Sequence, residues 1–367
     1  MKRFDVIIVG AGPAGATAGY WLGKAGLDVL IIDKSTFPRR KICGGGLTQR
    51  AFSEIPFDIS PVIHQEVNCG YIAFRGQSIK TIRVESPVAY MIDRLSFDNL
   101  LLEKAVAQGV RAELGQRVKS IAEQKEHIKL QTDQNTFTCR YLIGADGVHS
   151  LVAQQSNLVT NRKTSLAYEA RLIKTNGPEP FLTDTITFDF GTLFFGYGWI
   201  FPKRDHLNIG VCRTWPANRA SKKHLLRFID QHPALHKDRI IDIRAYPVPQ
   251  GTRKAFLHKN KILLVGDAAN LGDPWLGEGL YYALYSGRIA GETIIKHAQG
   301  ALLDLSEYSQ HINNFCFEQF TYAKRFSLLV NALPYINVSL LKASRTLQNM
   351  IIGLLSGERT YRETWHA

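Results

Sequence analysis

The stretch from Phe4 to Asp33, FDVIIVGAGPAGATAGYWLGKAGLDVLIID, limits what the chain can fold into more than any other. Val6 to Gly10 is an unbroken apolar run, the pattern of a parallel strand buried on both faces. Gly10, Gly12 and Gly15 follow in G-x-G-x-x-G spacing. Ala14 to Gly26 has helix composition, with Pro13 at the first helical position, where its missing N–H does no harm. A second apolar run, Val29 to Ile32, ends in Asp33. Each part has a physical task. Gly10 permits the tight turn, Gly12 lets a pyrophosphate approach the backbone, and Gly15 lets helix and strand pack closely. The helix N-terminus presents free N–H groups to phosphates, and Asp33 is placed to accept hydrogen bonds from a ribose. The unit reads as a dinucleotide site rather than a packing turn, and it does not say which dinucleotide.

At 367 residues, 45% hydrophobic and 21% charged, the chain suits one large or two interleaved globular domains. The first strand begins within a few residues of Met1, which leaves no room for a signal peptide. No stretch of about eighteen apolar residues is free of polar interruption, so a spanning helix is not expected. Cys43, Cys69, Cys139, Cys212 and Cys316 are scattered and form no C-x-x-C pair. That argues against a zinc site or other metal site, against a disulfide framework, and for a reducing, cytoplasmic compartment. A net charge of +13 and a pI near 9.5 point to an anionic membrane surface, an acidic substrate or an acidic protein donor as partner. Basic residues are dispersed and no nucleic-acid-binding motif occurs, so nucleic acid is not expected. A solvated basic surface is the plain alternative.

Along the chain, Asp33 leads into KSTFPRRKICGGGLTQR, a loop with three consecutive glycines, and a short helix is expected near Thr48. Cys69 to Tyr90 reads as a hairpin. Asp93 to Gln108 suits an amphipathic helix with Leu95, Leu101, Leu102, Ala105 and Val106 on its apolar face. Val110 to Thr138 reads as short antiparallel strands, and Arg140 to Gly144 as a return strand into the first sheet. Between 165 and 213, Phe195, Tyr197, Trp199 and Phe201 alternate on one face of a strand, with Gly196 and Gly198 on the other. That spacing fits plain core. It also fits a ligand wall, because the glycines leave the opposite face open for a ligand or another backbone. Lys222 to Gln231 is expected to be a helix, Lys261 to Val265 a buried strand, and Trp275 to Ala298 a glycine-rich turn entering a helix. From Leu303 the chain looks helical, with a break at Pro334.

Three glycine–acid motifs each follow a buried strand: GAGPAG with Asp33, GADGVHS at 144–150, and GDAANLGDPWLGEG at 266–279. In a doubly wound sheet, ligand groups gather beyond the carboxyl ends of the strands, so the three can converge on one large cofactor. Singly, Asp146 and Asp267 are equally well read as turn aspartates. As a set, the motifs resemble the FAD-dependent oxidoreductases of the p-hydroxybenzoate hydroxylase structural class. Three further stretches resemble the geranylgeranyl reductase family: Pro38 to Leu47 for P-x-x-K-x-C-G-G-G, Tyr197 to Lys203 for Y-x-W-x-F-P-K, and Asp273 to Gly279 for D-P-x-x-G-E-G. The resemblance covers roughly residues 1 to 300. One departure follows the second motif, where the class commonly carries an arginine and Ser150 is followed by Leu151, Val152 and Ala153.

The resemblance implies an α/β fold: an FAD-binding Rossmann-like domain of glutathione-reductase type, an inserted antiparallel-sheet substrate domain and a helical C-terminal tail. The expected division is 1–62, 91–158 and 245–300 for FAD, 63–90 and 159–244 for substrate, and 301–367 for the tail. Gly10, Gly12, Gly15 and Asp33 would hold the ADP half, with Pro13, Ala14 and Lys34 alongside. Asp267 would accept from a ribityl hydroxyl, Asp146 and Gly147 would contact the cofactor, and Arg94, in a D-R-x-x-F-D context, would lie near it. Cys43, Gly44 and Gly45 would sit against the isoalloxazine ring, with Cys43 either donating a proton or shaping the pocket. Gly277, Glu278 and Gly279 precede a helix whose N-terminus can stabilise negative charge on a reduced flavin. Tyr197, Trp199 and Phe201 would line a tunnel for a polyprenyl chain, and Lys203 would meet a diphosphate or other anionic head group. The implied activity is saturation of carbon–carbon double bonds in an isoprenoid chain, on a polyprenyl lipid or prenyl diphosphate. Electrons would come from NADPH or a reduced acidic electron carrier. An FAD monooxygenase or halogenase of the same fold, and a non-enzymatic membrane-associated lipid-binding flavoprotein, are the alternatives. The tail from Phe326 to Leu355 is open to three roles: a cover for the tunnel, a dock at the inner face of a membrane, or an ordinary helical cap.

Overall fold

A computed structural model describes residues 2–366 except 159–161, 175–183, 215, 217–218, 252–253 and 333. Strands are numbered in chain order. The apolar run at the start forms β1 (Lys2–Val9), which lies between β2 (Val29–Asp33) and β11 (Thr136–Gly144), parallel to both. The parallel order continues to β8 (Arg111–Leu114) beyond β2 and to β18 (Ile262–Leu264) beyond β11. The registers bring the strand ends level: Val9 is opposite both Ile32 and Gly144, and Gly144 is opposite Leu264. Ile7, Ile8 and Leu30 are essentially without solvent exposure, which is why these strands read as continuous apolar runs.

β8 corrects the expectation of a purely antiparallel region from 110 to 138, since it joins the parallel sheet beside β2. The antiparallel hairpin is β9 (Val118–Glu123) with β10 (Ile128–Thr132), seated on β11. Helix α1 (Pro13–Lys24) packs on α2 (Arg94–Val106) and α4 (Leu280–Ala298). The Asp93 side chain caps α2 by accepting from Leu95 N–H at 2.9 Å. Leu95 and Val106 are exposed, against expectation, and Phe97 takes their place in the core with Leu101 and Ala105 at i+4 and i+8.

The second sheet runs β16 (Ile240–Pro249), β12 (Thr164–Ile173), β15 (His206–Arg213), β14 (Gly196–Pro202), β13 (Thr185–Phe190), β5 (Cys69–Phe74), β6 (Gln77–Arg83), antiparallel except between β13 and β5. A small sheet, β3 (Gly46–Thr48), β7 (Ala89–Ile92), β4 (Ile63–Val67), joins the glycine loop to the rest. β16 crosses 244/245, and 158/159 borders residues outside those described. We propose Pro249, the end of β16, as the second dividing line.

Helix α3 (Lys222–Asp230) covers the back of the second sheet. Here the structure overturns one expectation. A Cβ at Gly198 would fall inside the Phe228 ring, and one at Gly196 would press on the backbone of Cys212 and Arg213. The glycine face is filled, not open. Phe195 lies in the turn before β14, half-exposed beside Phe194, and does not extend the aromatic face.

The C-terminal segment is helical as expected: Ser306–Ile312 passes through a π-turn into α5 (Glu318–Ala332), then α6 (Pro334–Ala343), α7 (Arg345–Ser356) and α8 (Tyr361–His366). Pro334 opens α6 rather than merely breaking the segment. Leu341, Leu347, Ile351 and Ile352 pack on Ile72 and Ile82 of β5 and β6. Among the described residues, no helix is long and apolar enough to cross a membrane.

Gly198→Val is expected to lower stability by about 1–3 kcal/mol through overpacking against Phe228. Thermal unfolding of the single and of Gly198→Val with Phe228→Ala checks this: the second substitution should cost less in the variant than in the parent.

Candidate active site

The level strand ends open into one cavity of about 740 Å³ that reaches from the β1–α1 turn to the aromatic face of the second sheet. Gly10 sits at φ +107, a region side chains avoid, and a Cβ there would strike the Ala145 carbonyl. A Cβ at Gly15 would strike Gly10 O, so helix and strand do meet there without a side chain between them. Gly12 caps α1 and faces the cavity; the nearest atom to its missing Cβ is Arg39 Nη2, at 3.5 Å. Pro13 and Ala14 line the same end, with Lys34 exposed at the rim.

Asp33 is held by Ala11 N–H at 2.7 Å and Ser35 N–H at 2.8 Å. Asp146 Oδ2 accepts from Leu151 N–H at 2.7 Å and Val152 N–H at 3.2 Å, while its Oδ1 is buried with no hydrogen-bond partner among the described residues. Burial pushes the Asp146 and Asp267 carboxyls above the usual carboxylate range, against the pull of their neighbours. No arginine follows Ser150, but Arg162 bridges the second and third motifs by donating to Val148 O at 2.9 Å and Ala268 O at 3.2 Å. An orphaned acceptor, open backbone at Gly12, a bare helix N-terminus and an acid beyond three strand ends fit the ribose, pyrophosphate and ribityl groups of FAD.

The loop after β2 carries Cys43, Gly44 and Gly45 along the middle of the cavity. Cys43 Sγ accepts from Gly45 N–H at 3.4 Å and lies within hydrogen-bonding reach of Arg94. Arg94 is buried on a two-pronged bond to Asp98, at 2.6 and 2.8 Å; burial opposes its charge and the Asp98 carboxylate outweighs it, so the guanidinium is held charged. Arg40 ties the loop to the second sheet through Asp242. Lys203 ties its other end. Its Nζ donates to Gly45 O at 2.7 Å and Ile92 O at 3.0 Å, and the side chain is 2% exposed. The expectation that Lys203 meets an anionic head group is therefore corrected: its donors go to two carbonyls and to the Met91 sulfur, and Lys203 itself lies outside the cavity lining.

Tyr197, Trp199 and Phe201 do face the cavity, with Phe188, Met91 and Leu354 completing an apolar chamber. The Trp199 indole lies over the backbone at Gly210, where a Cβ would enter its ring, and its Nε1–H donates to Asn208 Oδ1 at 2.8 Å. Glu169 stands on the same wall, next to Asn208, and burial pushes its carboxyl upward. Gly277 and Gly279 line the cavity below α4. Glu278 lines it too, but its carboxylate is turned to Thr48 Oγ1, at 2.6 Å, and to Arg50.

Arg39 and Lys41 are legible in the sequence only as basic neighbours of Cys43, and Arg162, Glu169, Asn208 and Leu354 are not singled out there. Lys41 lies over the Tyr246 ring at the cavity wall, and burial pushes its ammonium down to about 8. Lys41 is also the lysine of P-x-x-K-x-C-G-G-G.

A dinucleotide cradle continuous with an apolar chamber defines a flavoprotein oxidoreductase class. Residues 3–195 match the family model described as "FAD binding domain". The chain is 30% identical to a menaquinone reductase of Mycobacterium tuberculosis over 79% of this chain and 76% of that one. It is 29% identical to digeranylgeranylglycerophospholipid reductase 1 of Methanopyrus kandleri over 80% and 81%. A geranylgeranyl bacteriochlorophyll reductase-like protein of Thermoplasma acidophilum superposes with a TM-score of 0.79 at 25% identity, covering 89% of this chain and 87% of that one. The flavin-dependent brominase Bmp2, at 20% identity, shares the fold, with a TM-score of 0.75 over 97% and 94%. The chain belongs to the geranylgeranyl reductase family of FAD-dependent oxidoreductases.

Burial pushes the Lys203 ammonium down to about 8 from 10.5. The folded state thus releases this proton before the unfolded chain does, and the native state gains stability as pH rises through that window. The stability of the parent relative to Lys203→Met is expected to climb between those two values. Denaturant melts across that range check it, and a difference flat in pH sinks the assignment.

Proposed function

We propose that the protein reduces carbon–carbon double bonds in the polyprenyl chain of a lipid, a prenyl diphosphate or a prenylated quinone. One observation carries this reading: the apolar chamber opens directly onto the Cys43–Gly45 loop and the Gly277–Gly279 turn, inside the cavity that fits FAD. Two of the relatives are named for reductions of prenylated molecules. FAD, when bound and reduced, supplies a hydride.

The protein's own groups do the rest. Tyr197, Trp199, Phe201 and Leu354 hold an extended hydrocarbon and keep water from the reacting carbons. The N–H groups at the start of α4 stabilise negative charge at the cofactor's edge. Cys43 Sγ, beside the Arg94 guanidinium, holds the proton for the second alkene carbon, and Glu169 is a second acid on the chamber wall. Lys203 and Arg40 fix the loop that presents Cys43. The electron donor is NADPH or a reduced acidic carrier drawn by the +13 charge. Exposed Leu328, Leu329 and Leu340, with exposed Lys342 and Arg345 in the same C-terminal segment, suit a peripheral position on an anionic membrane at its inner face.

Two measurements test the reading. Dithionite-reduced holoenzyme mixed anaerobically with a prenyl lipid should be reoxidised while the lipid gains two hydrogens by mass. A strict need for oxygen would instead support a monooxygenase or halogenase, and no reoxidation would support a lipid carrier. Cys43→Ala should slow the reoxidation step by about a hundredfold and leave FAD affinity within about twofold. Unchanged reoxidation removes Cys43 from the proton path.

A further inference from the structure

The turn at 273–279 faces the cavity with Leu276, Gly277, Glu278 and Gly279. It is built around one carboxylate. Asp273 is 1% exposed. Its Oδ1 accepts from Trp275 N–H at 2.7 Å and Leu276 N–H at 2.8 Å, and its backbone bonds Gly277 N–H at 3.0 Å and Glu278 O at 2.9 Å. The remaining oxygen, Oδ2, accepts from the Tyr361 hydroxyl at 2.6 Å, across 88 residues of sequence.

Tyr361 opens α8, at the far end of the chain. It is 1% exposed, and Gln319 fixes its backbone, accepting from Tyr361 N–H at 2.8 Å. Two further contacts press the C-terminal segment onto the same turn. Phe326 stacks on Trp275 with ring centres 5.7 Å apart and planes 14° apart. Gly357, in the left-handed region at φ +84, lies where a Cβ would enter the Arg50 side chain, and Arg50 in turn holds Glu278. Seven residues before Tyr361, Leu354 lines the chamber itself.

We infer that Tyr361 is a positioning residue for the turn that faces the cofactor: its hydroxyl completes the hydrogen-bond shell of Asp273 and so fixes where the N–H groups at the start of α4 point. The inference rests on the FAD reading of the cavity and not on the identity of the substrate. Without the hydroxyl, Asp273 Oδ2 is a buried acceptor with no donor, and the turn reorganises to find one. Those N–H groups then stabilise the reduced cofactor less well.

The test is Tyr361→Phe in the full-length holoenzyme, with no substrate present. Amide exchange at Trp275 to Gly279 should accelerate about tenfold, equivalent to the loss of one hydrogen bond. The visible spectrum of bound FAD should change and its midpoint potential should move to a more negative value. Leu347→Ala, which thins the packing on β5 and β6 away from Asp273, should lower the thermal midpoint and leave all three readouts alone. If Tyr361→Phe does not fold, Gln319→Ala, which removes the acceptor that fixes the Tyr361 backbone, must accelerate exchange at the same amides. Spectrum, potential and exchange all unchanged in the folded variant would overturn the inference. A holoenzyme that behaves as expected here yet reduces no prenyl lipid would overturn the substrate reading alone.

Discussion

The site depends on the register between β1 and its two parallel neighbours. Val9 stands level with Ile32 on one side and Gly144 on the other, and Gly144 with Leu264 beyond. Because the strands stop together, Gly10, Asp33, Asp146 and Asp267 emerge at one edge although they lie up to 257 residues apart. Slip one strand by a residue and its side chains change faces, so the close packing around Ile7–Ile8 and Leu30–Ile31 on both sides of the sheet would have to be rebuilt. The apolar interior thereby fixes the placement of polar groups that contribute nothing to it.

The second constraint is the loop between β2 and β3. It is rich in glycine and would be loose in isolation. Arg40 ties it to Asp242 and Lys203 ties it to Ile92 through Gly45, so the cysteine between them is held from both sides. One tie comes from β16 and the other from the residue just after β14. Cofactor cradle and apolar chamber are thus joined through this segment as well as through the space between them.

Local chemistry was legible in the sequence, and distant pairing was not. Strand, glycine turn, helix and acid follow one another from Phe4 to Asp33, so their joint meaning could be read without a structure. The same held for the two later glycine–acid motifs, each attached to its own strand. Lys203 was misread because its partners, Gly45 and Ile92, lie more than 100 residues away and are backbone carbonyls, which leave no residue-type signature. Gly198 was misread for a related reason: a missing side chain looks like vacancy until Phe228 arrives from another element to fill it. Glu169 carried no clear signal, since Arg171, Ser165 and Thr164 make its strand a mixed one. Leu354 and Tyr361 carried none, since a leucine and a tyrosine in a helical tail are unremarkable until the tail folds back.

Phe228 behind Gly198 also has a bearing on how such a chamber can diversify. The aromatic wall is backed by a helix with no slack, so enlarging or shrinking the chamber from that side disturbs the sheet itself. The side formed by Leu354 is backed by Trp275, Ala323 and Tyr361 rather than by Phe228, and it belongs to the part of the chain where the shared motifs stop. Variation in which hydrocarbon is accepted is therefore cheapest to acquire at Leu354 and its immediate neighbours. A lineage could retune its substrate there so long as Tyr361, in the same segment, keeps its bond to Asp273.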